Sequence, residues 1–490
     1  MLRLFKKHHH RTGASTSLVN LPTVSRHLLQ KEPLRALDQL RGVPPGFVAV
    51  SHCPTFAAIV TEPELVRVVL SDPNGCFHKS PSTLRLHYAI GDGTSASRFP
   101  PDGSPYYAPF FSLEELRAHK RRAILPAFYA KLLASYSKAI DALVLEAFQS
   151  WQHGDVRDVY TEVHDLMLRI MIVCLFNREA GPEVMAAGRR LRLSSDALNR
   201  QLRHFFPPLG GFRDRGQYFL PTFRLWLPDR DGRSLRRRRK SLHAMVEYLL
   251  SAPPKEPGRT DDLLHLLVPA GEKSDGEVNN IEQVRNSLIS LWFAGYENSA
   301  SAAAWTLWCL AQHPEAQERV AAELNDPRLA GASAFTSVHQ ASYLRACINE
   351  SLRLYPPVWS TAREVTEDTQ LGAFTIPARS ILVVSPWLQQ HRPAAWPEPD
   401  TFRPERFLNQ PLPSPGDYFP FGAGLHSCPG EAFARLELTL TIAAILKKWQ
   451  VEPAPGHDPP QPMLAVTQRP KAGVFLEIKE RSAHDDEADE

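Results

Sequence analysis

The stretch Phe421-Gly422-Ala423-Gly424-Leu425-His426-Ser427-Cys428-Pro429-Gly430 holds the residue types whose chemistry is easiest to name. A single cysteine sits in a glycine-rich loop, directly ahead of an apolar segment, 430–449, that reads as a helix. Gly422 and Gly424 permit a tight bulge, because glycine takes positive φ without steric penalty. Such a bulge exposes the Cys428 sulfur and nearby backbone N–H groups. The helix N-terminus just beyond it favours thiolate over thiol. A preorganised thiolate suits a soft metal, and haem iron is the leading candidate. Phe421 would shield the sulfur, and Gly430 would let the helix approach a flat macrocycle. The plainer alternative is a structural cysteine buried in a turn.

Two further constellations lie upstream. Residues 280–312 form the longest helical pattern, apolar almost without interruption, which implies a helix buried on most sides. Within it lies Ala294-Gly295-Tyr296-Glu297-Asn298-Ser299. A glutamate in the middle of such a helix is costly unless it serves something. In the helical pattern 343–354, Glu350 and Arg353 are spaced i, i+3 and share a face. As an exposed pair they would add little stability.

Taken together, these strings resemble the cytochrome P450 family. Phe-x-x-Gly-x-His-x-Cys-x-Gly is similar to the family's haem-binding signature, with His426 where arginine is usual at a haem propionate. Ala434 and Glu437 also fall at family positions. Residues 294–299 resemble the oxygen-binding motif Ala-Gly-x-acid-Thr-Thr/Ser. That resemblance gives Ala294 and Gly295 the role of leaving room for dioxygen. It makes Glu297 the acid that links solvent protons to the oxygen pocket. Asn298 stands at the threonine position, and Ser299 points about 100° further round the helix, a poor direct substitute. Glu350 and Arg353 match the Glu-x-x-Arg helix. Arg406, in the string 402–407, completes a structural triad with them. Arg121 and Arg363 match propionate-binding arginines, although Arg117 stands where Trp or His is usual.

The resemblance implies a mainly α-helical fold with a smaller β-region (α+β), with haem b held between the oxygen-binding helix and the cysteine-loop helix. It implies one catalytic domain at 30–480, a basic segment 1–29 before it and an acidic tail 481–490 after it. The loop 82–112, with Tyr106, Tyr107, Phe110 and Phe111, would cap the haem, and Val358, Ser360 and Thr361 would edge the pocket. The implied activity is monooxygenation of an apolar small molecule, with electrons from a separate ferredoxin or flavodoxin and an NAD(P)H reductase. Lys120, Arg435, Lys447 and Lys448 would dock that donor, chiefly speeding encounter. Because Asn298 replaces threonine, a haem-thiolate isomerase or dehydratase, or a coupling or peroxide-using enzyme, is the alternative.

The elements around these motifs follow from local pattern. Residues 63–70 read as a helix opened by Pro63, whose missing N–H costs nothing there. Residues 46–50 and 55–60 read as strands, 263–268 as a helix capped by Asp261 and Asp262, and 371–387 and 463–478 as hairpins. The basic run 236–240 opens a helix whose apolar positions are Leu242, Met245, Val246 and Leu249, so it reads as a solvated face.

Bulk composition narrows the class. The 490 residues carry a net charge of +3, which gives no field suited to nucleic acid. The six cysteines have no CxxC spacing and are too sparse for a disulfide framework, which fits a reducing cytosol. Cys309 and Cys347 read as packing residues. A membrane span needs about 20 apolar residues; the best run, 166–176, is too short and contains Arg169. Microsomal members of the family begin with such an anchor, so the resemblance implies a bacterial-type member, expected to be a cytoplasmic monomer.

Overall fold

The computed structural model describes residues 18, 21–53, 55–79, 124–193, 230–267, 281–327 and 334–481. Arg117, Lys120, Arg121 and the expected capping loop lie outside the described residues.

The principal helices are α1 (Pro63–Ser71), α2 (Ala130–Phe148), α3 (Val159–Ile170), α4 (Pro182–Leu193), α5 (Arg230–Ser251), α6 (Ile281–Gly295), α7 (Glu297–Ala311), α8 (Ser342–Leu354) and α9 (Glu431–Lys448). Helix α7 is buried along almost its whole length. It is wrapped by α3, α8 and α9, which explains why its apolar pattern has no polar stripe. Helix α9 packs on α2 and α7 with Phe433, Leu436, Leu440 and Ile445 inward. The largest core cluster spans these helices; Trp292 and Trp305 are among its biggest side chains.

A six-stranded sheet forms the second layer. Its strands are β1 (Thr23–Ser25), β2 (Phe47–Ser51), β3 (Ala57–Val60) and β4 (Phe77–Lys79), followed later in the chain by two more. Strand β5 (Asp155–Asp158) belongs elsewhere. The later pair is β6 (Thr361–Val365) and, after the small hairpin β7 (Thr369–Leu371) and β8 (Phe374–Ile376), β9 (Ile381–Val384). The order is β1-β2-β3-β9-β6-β4. At its centre β3 pairs parallel with β9, Ala58 opposite Leu382. Both strands are buried at every position, and both read as unbroken apolar runs, as strands covered on two faces do. Because Thr23–Ser25 already pairs with β2, the ordered fold begins ahead of residue 30.

Two boundaries differ from the sequence pattern. The long helix expected over 280–312 is broken at Tyr296, whose φ of −120° and ψ of −33° leave the helical region. The expected terminal hairpin over 463–478 is three strands. Of these, β11 (Pro462–Leu464) pairs with β12 (Gln468–Pro470). The third, β13 (Phe475–Glu480), lies between β5 and the preceding β10 (Trp449–Pro453). A period-two pattern sets which face is buried but not which strand is the partner.

Asp262 alone caps the short helix Leu263–Leu267, accepting from Leu264 N at 2.9 Å, while Asp261 pairs with Arg259. Leu242, Met245, Val246 and Leu249 are buried on α5, and Arg236, Arg237 and Lys240 are exposed, the solvated face expected of that basic run. No helix among the described residues is long and apolar enough to cross a membrane.

Candidate active site

The cysteine loop is a set of short backbone hydrogen bonds. Gly422 N donates to Phe419 O at 2.9 Å, Ser427 N to Gly424 O at 3.1 Å and Cys428 N to Phe421 O at 2.8 Å. Gly422 and Gly424 take φ of 71° and 66°, which other residues rarely adopt. Gly424 has a second constraint: a Cβ there would lie 2.4 Å from the Leu70 carbonyl oxygen at the end of α1. The loop thus rests on the sheet side of the molecule while α9 starts at Glu431, capped by Gly430. Cys428 is exposed, unlike the five other cysteines, so it is no packing residue. Burial raises the thiol pKa of Cys309 and Cys347, as suits inert core positions.

Phe421 is held from outside the loop. The Arg435 guanidinium lies 4.8 Å from its ring centre, donates to Glu431 Oε1 at 2.9 Å and reaches Asn349 Oδ1 at 2.7 Å. Tyr418 donates to the Asn349 carbonyl at 3.0 Å. Arg435 therefore ties the cysteine loop to α8 while its side chain stays 29% exposed. Lys448 stands near Glu480, at 3.9 Å, and over the Trp449 ring.

Next to Asn349, Glu350 and Arg353 are fully buried and bonded twice, at 2.8 and 2.9 Å. Arg406 reaches Glu350 Oε1 at 3.3 Å, and Arg403 N donates to the same oxygen at 3.0 Å. Arg353 also donates to the carbonyls of Gln390, Pro399 and Thr401. The structure thus brings Glu350, Arg353 and Arg406 into one network that fixes the chain entering the cysteine loop.

Between the α6–α7 break and the cysteine loop lies a cavity of about 310 Å³. Cys428, Phe421, His426 and Gly430 line it from the loop, Arg363 and Thr361 from β6, and Ala294, Gly295, Asn298 and Ser299 from the broken helix. Arg363 is 3% exposed and donates to Thr361 Oγ1 at 3.0 Å. Val358 also lines the wall; Ser360 does not, among the described residues. Met171, Leu175 and Phe176, which no motif singled out, line the wall from the π-helical turn Met171–Leu175 and the residue after it. Their only signal was an apolar run too short for a membrane.

The helix break has a specific chemistry. Asn298 Nδ2 donates to the Ala294 carbonyl at 3.2 Å, an acceptor that a regular helix offers to the backbone N–H four residues on. Asn298 Oδ1 is buried and has no partner among the described residues. Gly295 serves close packing, since a Cβ would lie 2.7 Å from Met171 Sδ. The break also moves Glu297 from mid-helix to the first turn of α7, where a carboxylate suits the helix dipole. Glu297 is 7% exposed, and Thr467 Oγ1 donates to its Oε1 at 3.4 Å. It is not among the described residues lining the cavity. The acid that does line it is Glu437, on α9. Behind Glu297, Tyr160 has its pKa raised by burial and by that carboxylate, and burial with Arg192 and Arg469 nearby depresses His164 to about 3.

The donor set fits a haem. One exposed thiol faces the cavity, two basic side chains, Arg363 and His426, stand at its wall, and the surfaces between are largely apolar. Arg121, the other expected propionate ligand, lies outside the described residues.

Comparison with known proteins agrees. A family model described as Cytochrome P450 matches residues 17–476. The chain is 29% identical over 431 residues to cyclooctat-9-en-7-ol 5-monooxygenase of Streptomyces melanosporofaciens, covering 87% of each chain. It is 26% identical over 452 residues to pentalenene oxygenase of Streptomyces avermitilis, covering 90% of this chain and 92% of that one. The crystal structure of CYP175A1 from Thermus thermophilus superimposes with a TM-score of 0.69 at 25% identity, over 94% of this chain and all of the other.

Proposed function

This chain belongs to the cytochrome P450 family, is a haem b-dependent monooxygenase, and from that premise we propose which reaction it carries out and which residues carry it. One oxygen atom of O2 enters a C–H or C=C bond of an apolar compound, giving an alcohol or an epoxide. The second atom leaves as water, with two electrons and two protons supplied. The electrons come from NAD(P)H through a separate reductase and a ferredoxin or flavodoxin. Two relatives are named for cyclooctat-9-en-7-ol and for pentalenene, and a compact, largely hydrocarbon molecule of that kind suits a cavity walled by Met171, Leu175, Phe176 and Leu291.

Cys428 would hold the haem iron through its thiolate, and Arg363 and His426 would take the propionates, with Arg121 as a third contact. A thiolate-ligated haem supplies electron donation that favours O–O cleavage. The remaining work belongs to side chains. Ala294 and Gly295 keep the wall small. Asn298 divides donor and acceptor between two atoms: its amide holds the Ala294 carbonyl, and its Oδ1 is left to hold a cavity water. Glu297, in the preceding position and behind the cavity wall, would relay solvent protons toward that water.

The observation that carries this reading is the exposed Cys428 thiol facing an apolar cavity also lined by Asn298, whose Oδ1 has no partner among the described residues. The same asparagine, standing where threonine is usual, favours the second reading, chemistry driven by peroxide or without oxygen. Turnover with NAD(P)H, O2 and a surrogate redox pair, compared with peroxide alone, separates the two. Product with the redox pair supports monooxygenation, and product with peroxide only rejects it. If Asn298→Ala forms as much product per NAD(P)H as wild type, Asn298 has no part in proton delivery.

A further inference from the structure

The break between α6 and α7 has no proline and no pair of glycines to explain it, so its cause lies in what packs around it. The departure from helix is almost all in the φ of Tyr296, −120° against about −63° in a helix, while ψ of −33° stays close. Helix α7 starts from the Tyr296 carbonyl, which accepts from Ala300 N at 2.9 Å. Asn298 by itself is a weak cause. Its amide replaces a backbone N–H as donor to the Ala294 carbonyl, one hydrogen bond for another, with little net gain.

Tyr296 is 4% exposed, and its ring is held on two sides. Trp292, one turn back on α6, meets it at 5.4 Å between ring centres and 65° between planes. His164 of α3 meets it at 4.8 Å and 83°. Both contacts have the edge-to-face geometry that aromatic rings prefer. His164 Nδ1 makes no hydrogen bond among the described residues, and burial keeps the ring neutral, so it offers Tyr296 a flat surface and not a charge. Tyr160, one turn earlier on α3, backs His164 at 6.2 Å and 71°. Two turns beyond His164, about 10 Å along the helix, Met171 receives Gly295, where a Cβ would lie 2.7 Å from its Sδ. The two adjacent residues at the break are thus both seated against α3 and the turn that continues it, a glycine pressed in and a tyrosine ring wedged.

We propose that Tyr296, clamped between Trp292 and His164, is a positioning residue that holds the break and thereby fixes the side chain of Asn298 at the cavity, with His164 as its support on α3. Without the clamp the segment relaxes toward a regular helix. The Ala294 carbonyl then returns to the Asn298 backbone N–H, and the Asn298 amide loses the contact that sets its direction. Neither Tyr296 nor His164 is among the described residues lining the cavity, so both act through Asn298. The inference rests on the reading of Asn298 as the holder of a cavity water.

The test uses the haem-loaded protein and two readouts. In the reduced protein under carbon monoxide, the infrared C–O stretch reports the polar side chains that face the bound gas. Asn298→Ala should move that band, which calibrates the probe. Tyr296→Ala and His164→Ala should move it in the same direction. At saturating substrate both should form several-fold less product per NAD(P)H, with substrate affinity unchanged. Tyr296→Phe should keep the wild-type band and coupling, because the ring remains. A tyrosine that merely fills the core would lower urea stability in Tyr296→Ala and leave the band in place, and that result overturns the proposal. A Tyr296→Phe protein as impaired as Tyr296→Ala, or a band that Asn298→Ala does not move, overturns it equally. If Tyr296→Ala fails to fold, His164→Leu, which loses the flat ring but keeps an apolar side chain, carries both readouts; a moved band with poorer coupling supports the clamp, and wild-type behaviour overturns it. Failure of wild type to form any oxygenated product rejects the monooxygenase reading instead, and the infrared comparison still decides whether Tyr296 positions Asn298.

Discussion

Glu350→Ala removes the only carboxylate from the buried network at the back of the cysteine loop. Two guanidinium groups are then left without their counter-charge: Arg353, with a fully buried side chain, and Arg406, whose side chain is 6% exposed. Breaking a buried ion pair from one side costs about 3–5 kcal/mol. Arg353 keeps three backbone carbonyl partners, which places it toward the lower end, about 3 kcal/mol. Against a usual stability of about 5–15 kcal/mol this is a large fraction. The same carboxylate accepts from Arg403 N, so the approach to the cysteine loop loosens as well. Urea unfolding and haem content per polypeptide measure both effects. The double variant Glu350→Leu/Arg353→Met should remain destabilised, because the carbonyls of Gln390, Pro399 and Thr401 lose their donor. Loss of less than about 1 kcal/mol in Glu350→Ala, with full haem content, would refute the idea that a buried charge is being neutralised.

Gly424→Ala should weaken haem retention with a smaller effect on global stability, because its Cβ meets the Leu70 carbonyl at 2.4 Å and φ is 66°; a haem dissociation rate equal to wild type would contradict that account. His164 and His391 are buried neutral, each with its pKa lowered by burial from 6.5 to about 3. Below pH 6.5 the unfolded chain takes up protons that these two refuse in the fold, so stability should fall with pH down to about 3, by up to about 1.4 kcal/mol per pH unit for each. His391→Asn should flatten that slope in urea unfolding between pH 6 and 4, and an unchanged slope would mean that His391 titrates normally.

The cysteine loop was legible because each of its features is a local requirement: two glycines at positive φ, one sulfur, and a helix starting at once behind it. The Glu350–Arg353 pairing was legible from its spacing, and its burial from the motif context. The break at Tyr296 was not, because the apolar pattern runs through it without a proline or a glycine pair. That one kink changed the meaning of Glu297, which became a first-turn residue turned toward Thr467. Glu437 was legible as a family position, but its burial and its bond to Ser299 come only from tertiary packing. Of the partners of Arg435, Asn349 comes from α8, 86 residues away in sequence, and a cation on a helix gives no sign of it.

The central claim is that Cys428 is the thiolate ligand of a bound haem. The reduced protein with carbon monoxide should show the red-shifted Soret band of thiolate ligation, and Cys428→His and Cys428→Ser should each abolish it while the far-ultraviolet circular dichroism is preserved. A Cys428→Ser protein that keeps the red-shifted band would contradict the assignment, because no other cysteine among the described residues reaches the cavity surface with an exposed sulfur.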